Sequence, residues 1–164
     1  MILPENFRKP DSDRLDIPAI FTSSSEKDTF SLGKKLGLLL EKGNVVALRG
    51  ELGAGKTCFI KGIASALFIE ENPCSPSYTI VNEYEGSLAN GEKTSVYHID
   101  AYRLGGNDDF MEIGGKEIVF GDGISLIEWS ERINDFITPG AFIVDIKIKS
   151  DTERLISIYT ETNK

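Results

Sequence analysis

Gly50-Glu51-Leu52-Gly53-Ala54-Gly55-Lys56-Thr57 decides the reading of this 164-residue chain, because it spells G-x-x-x-x-G-K-T, the pattern of a phosphate-binding loop. Gly50, Gly53 and Gly55 let the backbone turn tightly and point successive N–H groups at phosphate oxygens. Lys56 brings a positive charge to the β- and γ-phosphates, and the Thr57 hydroxyl is a ligand for Mg²⁺. The flanks arrive in the required order. Val45-Val46-Ala47-Leu48 is a short apolar run suited to a buried strand, and Phe59, Ile60, Ile63, Ala64 and Leu67 recur at helical spacing after the loop. That helix adds its N-terminal dipole to the phosphate site.

Upstream, residues 1–16 mix Pro4, Pro10 and charges without periodicity and read as a loosely held extension, leaving 17–164 as a single domain. Ile17 to Thr22 reads as an edge strand, since Pro18 is tolerated only at a strand's start or edge. Ser23-Ser24-Ser25 offers N-caps, with Ser25 and Asp28 as a capping pair. Leu32, Leu36, Leu39 and Leu40 then mark one face of a helix that Gly43 closes as its C′ residue. Downstream, Tyr78 to Tyr84 alternates like a strand and returns after a connection over 86–92 as Thr94 to Ile99, ending on Asp100. A short helical segment follows Gly105-Gly106, with Asp108 and Asp109 near its N-terminus and Phe110 and Met111 packing inward. Gly114-Gly115 interrupts it, and Lys116 to Phe120 adds another helical turn or two. Ile124 to Ile127 is a buried strand ending in Glu128-Trp129. Residues 141–148 and 154–160 alternate around Ser150-Asp151 as an antiparallel hairpin. The pattern predicts an α/β, P-loop NTPase-like three-layer fold with a mixed central sheet.

The bulk numbers narrow the function classes. A net charge of −8, with 18 basic against 26 acidic residues, argues against a surface built to grip nucleic acid or an anionic membrane. No run approaches the length of a membrane span, and the N-terminus has charges and no apolar leader core. Two cysteines, Cys58 and Cys74, are too few for a disulfide framework or a zinc site and fit a reducing, cytoplasmic setting.

A phosphate loop needs a second half that places Mg²⁺ and a nucleophile. Asp100 and Glu128 each close an apolar run, and carboxylates at strand ends of an open α/β sheet gather at the crevice beside the loop. Either is a candidate metal ligand of Walker-B type. His98 shares a strand face with Asp100 and reads as a structural histidine. Trp129 reads as core, or as a cover for a base or a partner surface.

The order G-E-L-G-A-G-K-T, then Ser75-Pro76-Ser77-Tyr78-Thr79-Ile80-Val81-Asn82-Glu83-Tyr84, then His98-Ile99-Asp100-Ala101-Tyr102-Arg103-Leu104, then Ile127-Glu128-Trp129 resembles the TsaE (YjeE) family, the bacterial P-loop ATPases of threonylcarbamoyladenosine tRNA modification. The resemblance runs from about Phe21 to Ile158. It implies that Leu52, Gly53, Ala54, Gly55, Lys56 and Thr57 bind ATP and that Thr57 and Glu128 hold Mg²⁺. It makes Asp100 the Walker-B type acid and Ser75, Ser77 and Thr79 part of a mobile switch-like loop, and it places Ser25 and the turn before Arg154 beside the nucleotide. It further implies a TsaB–TsaD protein partner, tRNA reached only through that assembly, and ATP hydrolysis that resets it. Ser77, Cys58 and Ser130 depart from the family's usual Thr, Thr and Pro; none of these departures removes a phosphate or metal ligand. The competing readings are a small-molecule kinase, a GTPase switch (weakened by the lack of an N-K-x-D base-reading motif) and a non-catalytic nucleotide-gated adaptor.

Overall fold

A computed structural model of the chain describes residues 15–162 and the backbone of Phe7–Arg8. The elements in order are β1 (Phe7–Arg8), β2 (Ala19–Ser23), α1 (Glu26–Gly37), β3 (Val45–Arg49), α2 (Lys56–Ala66), β4 (Val81–Ser87), β5 (Lys93–Asp100), α3 (Asn107–Glu112), α4 (Gly115–Val119), β6 (Ile124–Glu128), a 3₁₀ segment (Ser130–Phe136), β7 (Phe142–Ile148) and β8 (Arg154–Thr160). Seven strands and the two-residue β1 make one sheet in the order β1-β2-β8-β7-β3-β6-β5-β4. β3 is central and parallel to both β6 and β7, β5 is parallel to β6, and β4 and β8 run antiparallel to their neighbours.

Alternation along the strands divides the core into two layers. Val46, Leu48, Leu126 and Val144 pack with Leu32, Leu36, Phe59, Ile60 and Ile63 of α1 and α2. Val45, Ala47, Ile99, Ile127 and Ile143 pack on the other face with Phe110, Val119, Ile133 and Phe136. The expected three-layer α/β architecture with a mixed sheet is what the chain forms. Among the described residues no helix is long and apolar enough to cross a membrane.

Several local expectations are corrected. α1 ends at Gly37, six residues before Gly43, and its last turn tightens through i→i−3 bonds from Leu39 and Leu40. Gly33 and Gly37 are there for close packing: a Cβ on Gly33 would collide with the Phe59 carbonyl, and one on Gly37 would lie 2.6 Å from the Ala66 Cβ. Leu39 falls past the helix end and is exposed, so it does not share the buried face. Tyr78 to Ile80 is a turn rather than strand, with Ile80 at φ 67°, and β4 starts at Val81. β2 is not the sheet edge, because Phe7 and Arg8 pair parallel to Ile20 and Phe21. Met111 points to solvent; its neighbour Phe110 takes the inward position. The expected loose extension lies mostly outside the described residues; of its described part, Leu15 is buried.

The α1–α2 contact yields a stability prediction. A Cβ on Gly62 would strike the Phe30 carbonyl oxygen and lie 2.8 Å from the Lys34 nitrogen. Alanine is the better helix former by about 1 kcal/mol, yet Gly62→Ala should destabilise the protein by about 1–3 kcal/mol through overpacking. Urea unfolding measures the difference; an unchanged or raised midpoint would mean that the two helices separate at little cost.

Candidate functional site

Parallel pairing of β3, β6 and β5 sets Leu48 beside Glu128 and Glu128 beside Asp100, so three strand ends lie in one line. The chain leaves β3 through the loop 50–55 and enters α2 at Lys56. Gly53 (φ 80°) and Gly55 (φ 109°) take left-handed conformations there that a side chain would strain. The loop, the strand ends and the segment around Ser75 enclose a groove of about 550 Å³. Leu52, Gly53, Ala54, Gly55, Lys56, Thr57, Ser75, Ser77, Asp100, Glu128 and Trp129 all line it.

The polar contacts form a connected set. Thr57 donates its hydroxyl to Glu128 Oε1 at 3.0 Å, and the other carboxylate oxygen lies 2.7 Å from His98 Nε2. His98 is thus tied to the site, because residues two apart on β5 and the parallel register of β6 bring it diagonally onto Glu128. Its Nδ1 is buried without a partner among the described residues. Asp100 accepts from the Ser75 hydroxyl at 2.7 Å and from the Tyr102 N–H at 3.0 Å. Both acids are buried.

Lys56 Nζ donates to the carbonyls of Gly50 at 2.5 Å and Glu51 at 3.1 Å, and lies 4.0 Å from the centre of the Trp129 ring. Burial pushes its ammonium below the ordinary lysine range, while Glu128, Glu131 and Asp100 act to raise it. Trp129 reaches this position from a left-handed backbone (φ 58°), a conformation that costs a non-glycine residue about 1–2 kcal/mol. Its ring also packs on Tyr102, 4.9 Å between centroids. Of the two readings of Trp129, the core one fits, since it packs against the core while its ring faces the lysine ammonium.

Ser25 is first a helix cap, accepting from the Asp28 N–H at 3.1 Å, while Asp28 Oδ2 accepts from the Ser24 N–H at 2.9 Å. It also lines a second recess, of about 400 Å³, that adjoins the groove through Gly53, Ala54, Gly55 and Cys58 and is closed by Asp151, Thr152 and Arg154. Thr79 stands apart from both. It is exposed, donates to Asn82 at 3.0 Å and does not line the groove.

Sequence reasoning did not single out Tyr102 and Arg103, which line the groove, nor the contacts of Arg154 with the loop carbonyls of Gly53 and Ala54. The signal for the first pair lay in the chain: both follow Asp100 within three residues and so leave the same strand end. For Arg154 the resemblance marked only the turn before it; its contacts with the loop gave no signal, since these partners are backbone atoms a hundred residues away.

The arrangement offers a glycine-rich loop with a cation beside it, a hydroxyl bonded to a carboxylate, and a second carboxylate at the adjoining strand end. A family model described as threonylcarbamoyl adenosine biosynthesis protein TsaE matches residues 23–156. The tRNA threonylcarbamoyladenosine biosynthesis protein TsaE of Treponema pallidum is 40% identical over 136 residues, 83% of this chain and 96% of its own length. The protein of the same description from Aquifex aeolicus is 39% identical over 138 residues, 82% and 91% of the two chains. Among solved structures, that of YdiB from Bacillus subtilis aligns with a TM-score of 0.67 at 30% identity, over 88% of this chain and 85% of that one.

The two carboxylates should differ in what they do for the ligand-free fold. Glu128→Ala strands a fully buried His98 ring without its acceptor, a loss of about 1–3 kcal/mol. Asp100→Ala releases only a half-buried serine hydroxyl and an N–H of the exposed Tyr102, a smaller loss of about 0.5–1.5 kcal/mol. Urea midpoints rank the two; a Glu128→Ala midpoint equal to that of the parent would show that the carboxylate does not hold His98.

Proposed function

The chain belongs to the TsaE family of threonylcarbamoyl adenosine biosynthesis proteins, and from that premise we propose that it binds and hydrolyses ATP with Mg²⁺ in support of tRNA threonylcarbamoyladenosine formation. The observation that carries the proposal is the convergence of Lys56 Nζ, the Thr57 hydroxyl, Glu128 and Asp100 on one groove beside the glycine loop. The recess lined by Ser25, Asp151 and Thr152 is the place for the nucleoside end, because it continues directly from the loop.

The donor set fits Mg²⁺. Thr57 Oγ1 and Glu128 Oε1 are hard oxygens 3.0 Å apart, and Mg²⁺ is usually held by one or two such groups plus phosphates rather than by an all-protein cage. When bound, the ion would neutralise charge developing on the phosphates. His98 keeps Glu128 turned towards Thr57. Lys56 exchanges its two loop carbonyls for phosphate oxygens. Asp100, released by Ser75, orients the attacking water and takes its proton. As the new bond from water to the γ-phosphorus forms, the bond to the β–γ bridging oxygen breaks and ADP departs with that oxygen.

Both acids are engaged by protein groups in this state, Asp100 by Ser75 and Tyr102 and Glu128 by Thr57 and His98. Turnover by the isolated chain is therefore slow, and a partner that draws the Ser75 segment away accelerates it. That contact also favours, as a second reading, a nucleotide-gated adaptor with negligible hydrolysis. The partner is a TsaB–TsaD-type complex, the setting is cytoplasmic, and tRNA is reached only through the complex, since a net charge of −8 does not suit a phosphate backbone.

Lys56→Ala should cost on the order of 1.5–3 kcal/mol of ATP affinity through loss of a charge-assisted contact; unchanged affinity by calorimetry would remove the phosphate site. Asp100→Ala and Glu128→Ala should each abolish ATP turnover, measured with the partner complex present, more completely than they weaken binding. Normal turnover in either variant would leave that residue a buried structural acid with no part in the reaction.

A further inference from the structure

The glycine loop must hold its N–H groups ready for an anion, yet Gly53 and Gly55 give it more freedom than any other residue type would. Two cations compensate by binding its carbonyls. Lys56 takes those of Gly50 and Glu51 from inside the groove. Arg154, at the start of β8, takes the other pair from the side of the second recess: Nε donates to Ala54 O at 3.1 Å and Nη2 to Gly53 O at 3.2 Å. Its Nη1 is anchored in the β7–β8 turn on the carbonyls of Ser150 at 2.8 Å and Glu153 at 3.1 Å. All three guanidinium nitrogens thus meet backbone oxygens, and among the described residues no carboxylate pairs with the side chain.

We propose that Arg154 is a positioning residue for the phosphate loop, a clamp that fixes the loop's peptide planes before any ligand arrives. In a trans peptide the carbonyl of one residue and the N–H of the next point to opposite sides. Holding the Ala54 carbonyl against the guanidinium therefore turns the Gly55 N–H away from it. Holding the Gly53 carbonyl does the same for the Ala54 N–H, which is engaged by Glu51 O at 3.0 Å and closes the turn at the loop's tip. Lys56 cannot keep the loop in shape on its own, because the same ammonium has to leave its carbonyls to meet phosphate. Arg154 borders the second recess, but its guanidinium nitrogens are all held by backbone carbonyls, so it can hold the loop throughout the cycle. Its planar fork, with donors in fixed directions, suits four carbonyls at once; a lysine at this position carries the same charge but is a single point of contact. The strand register supports the clamp, since Arg154 pairs with Ser23 of β2 and Ile148 of β7, which root it in the sheet.

That the loop's ligand is ATP rests on the proposed function; the clamp itself does not. The test uses Arg154→Lys and Arg154→Gln in the full chain, with two readouts. Hydrogen exchange of the ligand-free protein should show loop peptides over 50–57 exchanging about tenfold faster or more in both variants, with β3 and the body of α2 unchanged. Calorimetry with ADP should show affinity falling at least tenfold in both. Retained affinity in Arg154→Lys with loss in Arg154→Gln would make the residue a charge aimed at the ligand and overturn the clamp. Unchanged loop exchange would overturn it as well. Faster loop exchange in variants of a parent that itself binds no nucleotide would support the clamp and remove the nucleotide reading.

Discussion

Everything at the site depends on the parallel register of three strands. Leu48, Glu128 and Asp100 lie side by side at the ends of β3, β6 and β5, and the loop that leaves β3 therefore passes directly over both acids. A shift of one residue in β6 would turn Glu128 onto the opposite face of the sheet, away from Thr57 and His98. The register is held by residues remote from any chemistry. Val46, Leu126 and Val96 lock one face and Ala47, Ile127 and Ile99 the other, so a slip would expose two layers of core at once.

Against that rigid base the polar groups are arranged for exchange rather than for stability. Lys56 is buried, which works against its charge, and is satisfied by carbonyls and an indole face instead of an ion pair. Trp129 sits in a left-handed conformation that its covering role requires. Asp100 is occupied by a serine from a segment with little regular structure. On the proposed function, each of these contacts is given up for an anion, for a metal or for movement of that segment. Glu128 differs, because its bond to His98 lies in the interior.

Much of this was legible in the chain. G-x-x-x-x-G-K-T between an apolar run and a helical period marks the loop, and acids closing apolar runs mark two residues that line the same groove, because both signals come from side-chain type at fixed spacing. What was not legible had other causes. Gly43 looked like a helix stop, but the glycines that matter, Gly33 and Gly37, serve the close approach of α2, a tertiary demand with no local signature. Tyr78 to Ile80 alternates like a strand, yet the left-handed Ile80 ends the turn before β4 can begin. The contacts of Arg154 are with backbone, so no complementary side chain elsewhere in the chain announces them.

The position of Trp129 has an optical consequence. It is the chain's one tryptophan, against five tyrosines, and its indole faces an ammonium 4.0 Å away. Emission from this protein under selective excitation therefore comes from a single known place, and the group facing it is the lysine that, on the proposed function, moves when an anion enters. The chain thus carries its own reporter of movement at Lys56, readable without labels and on the timescale of rapid mixing.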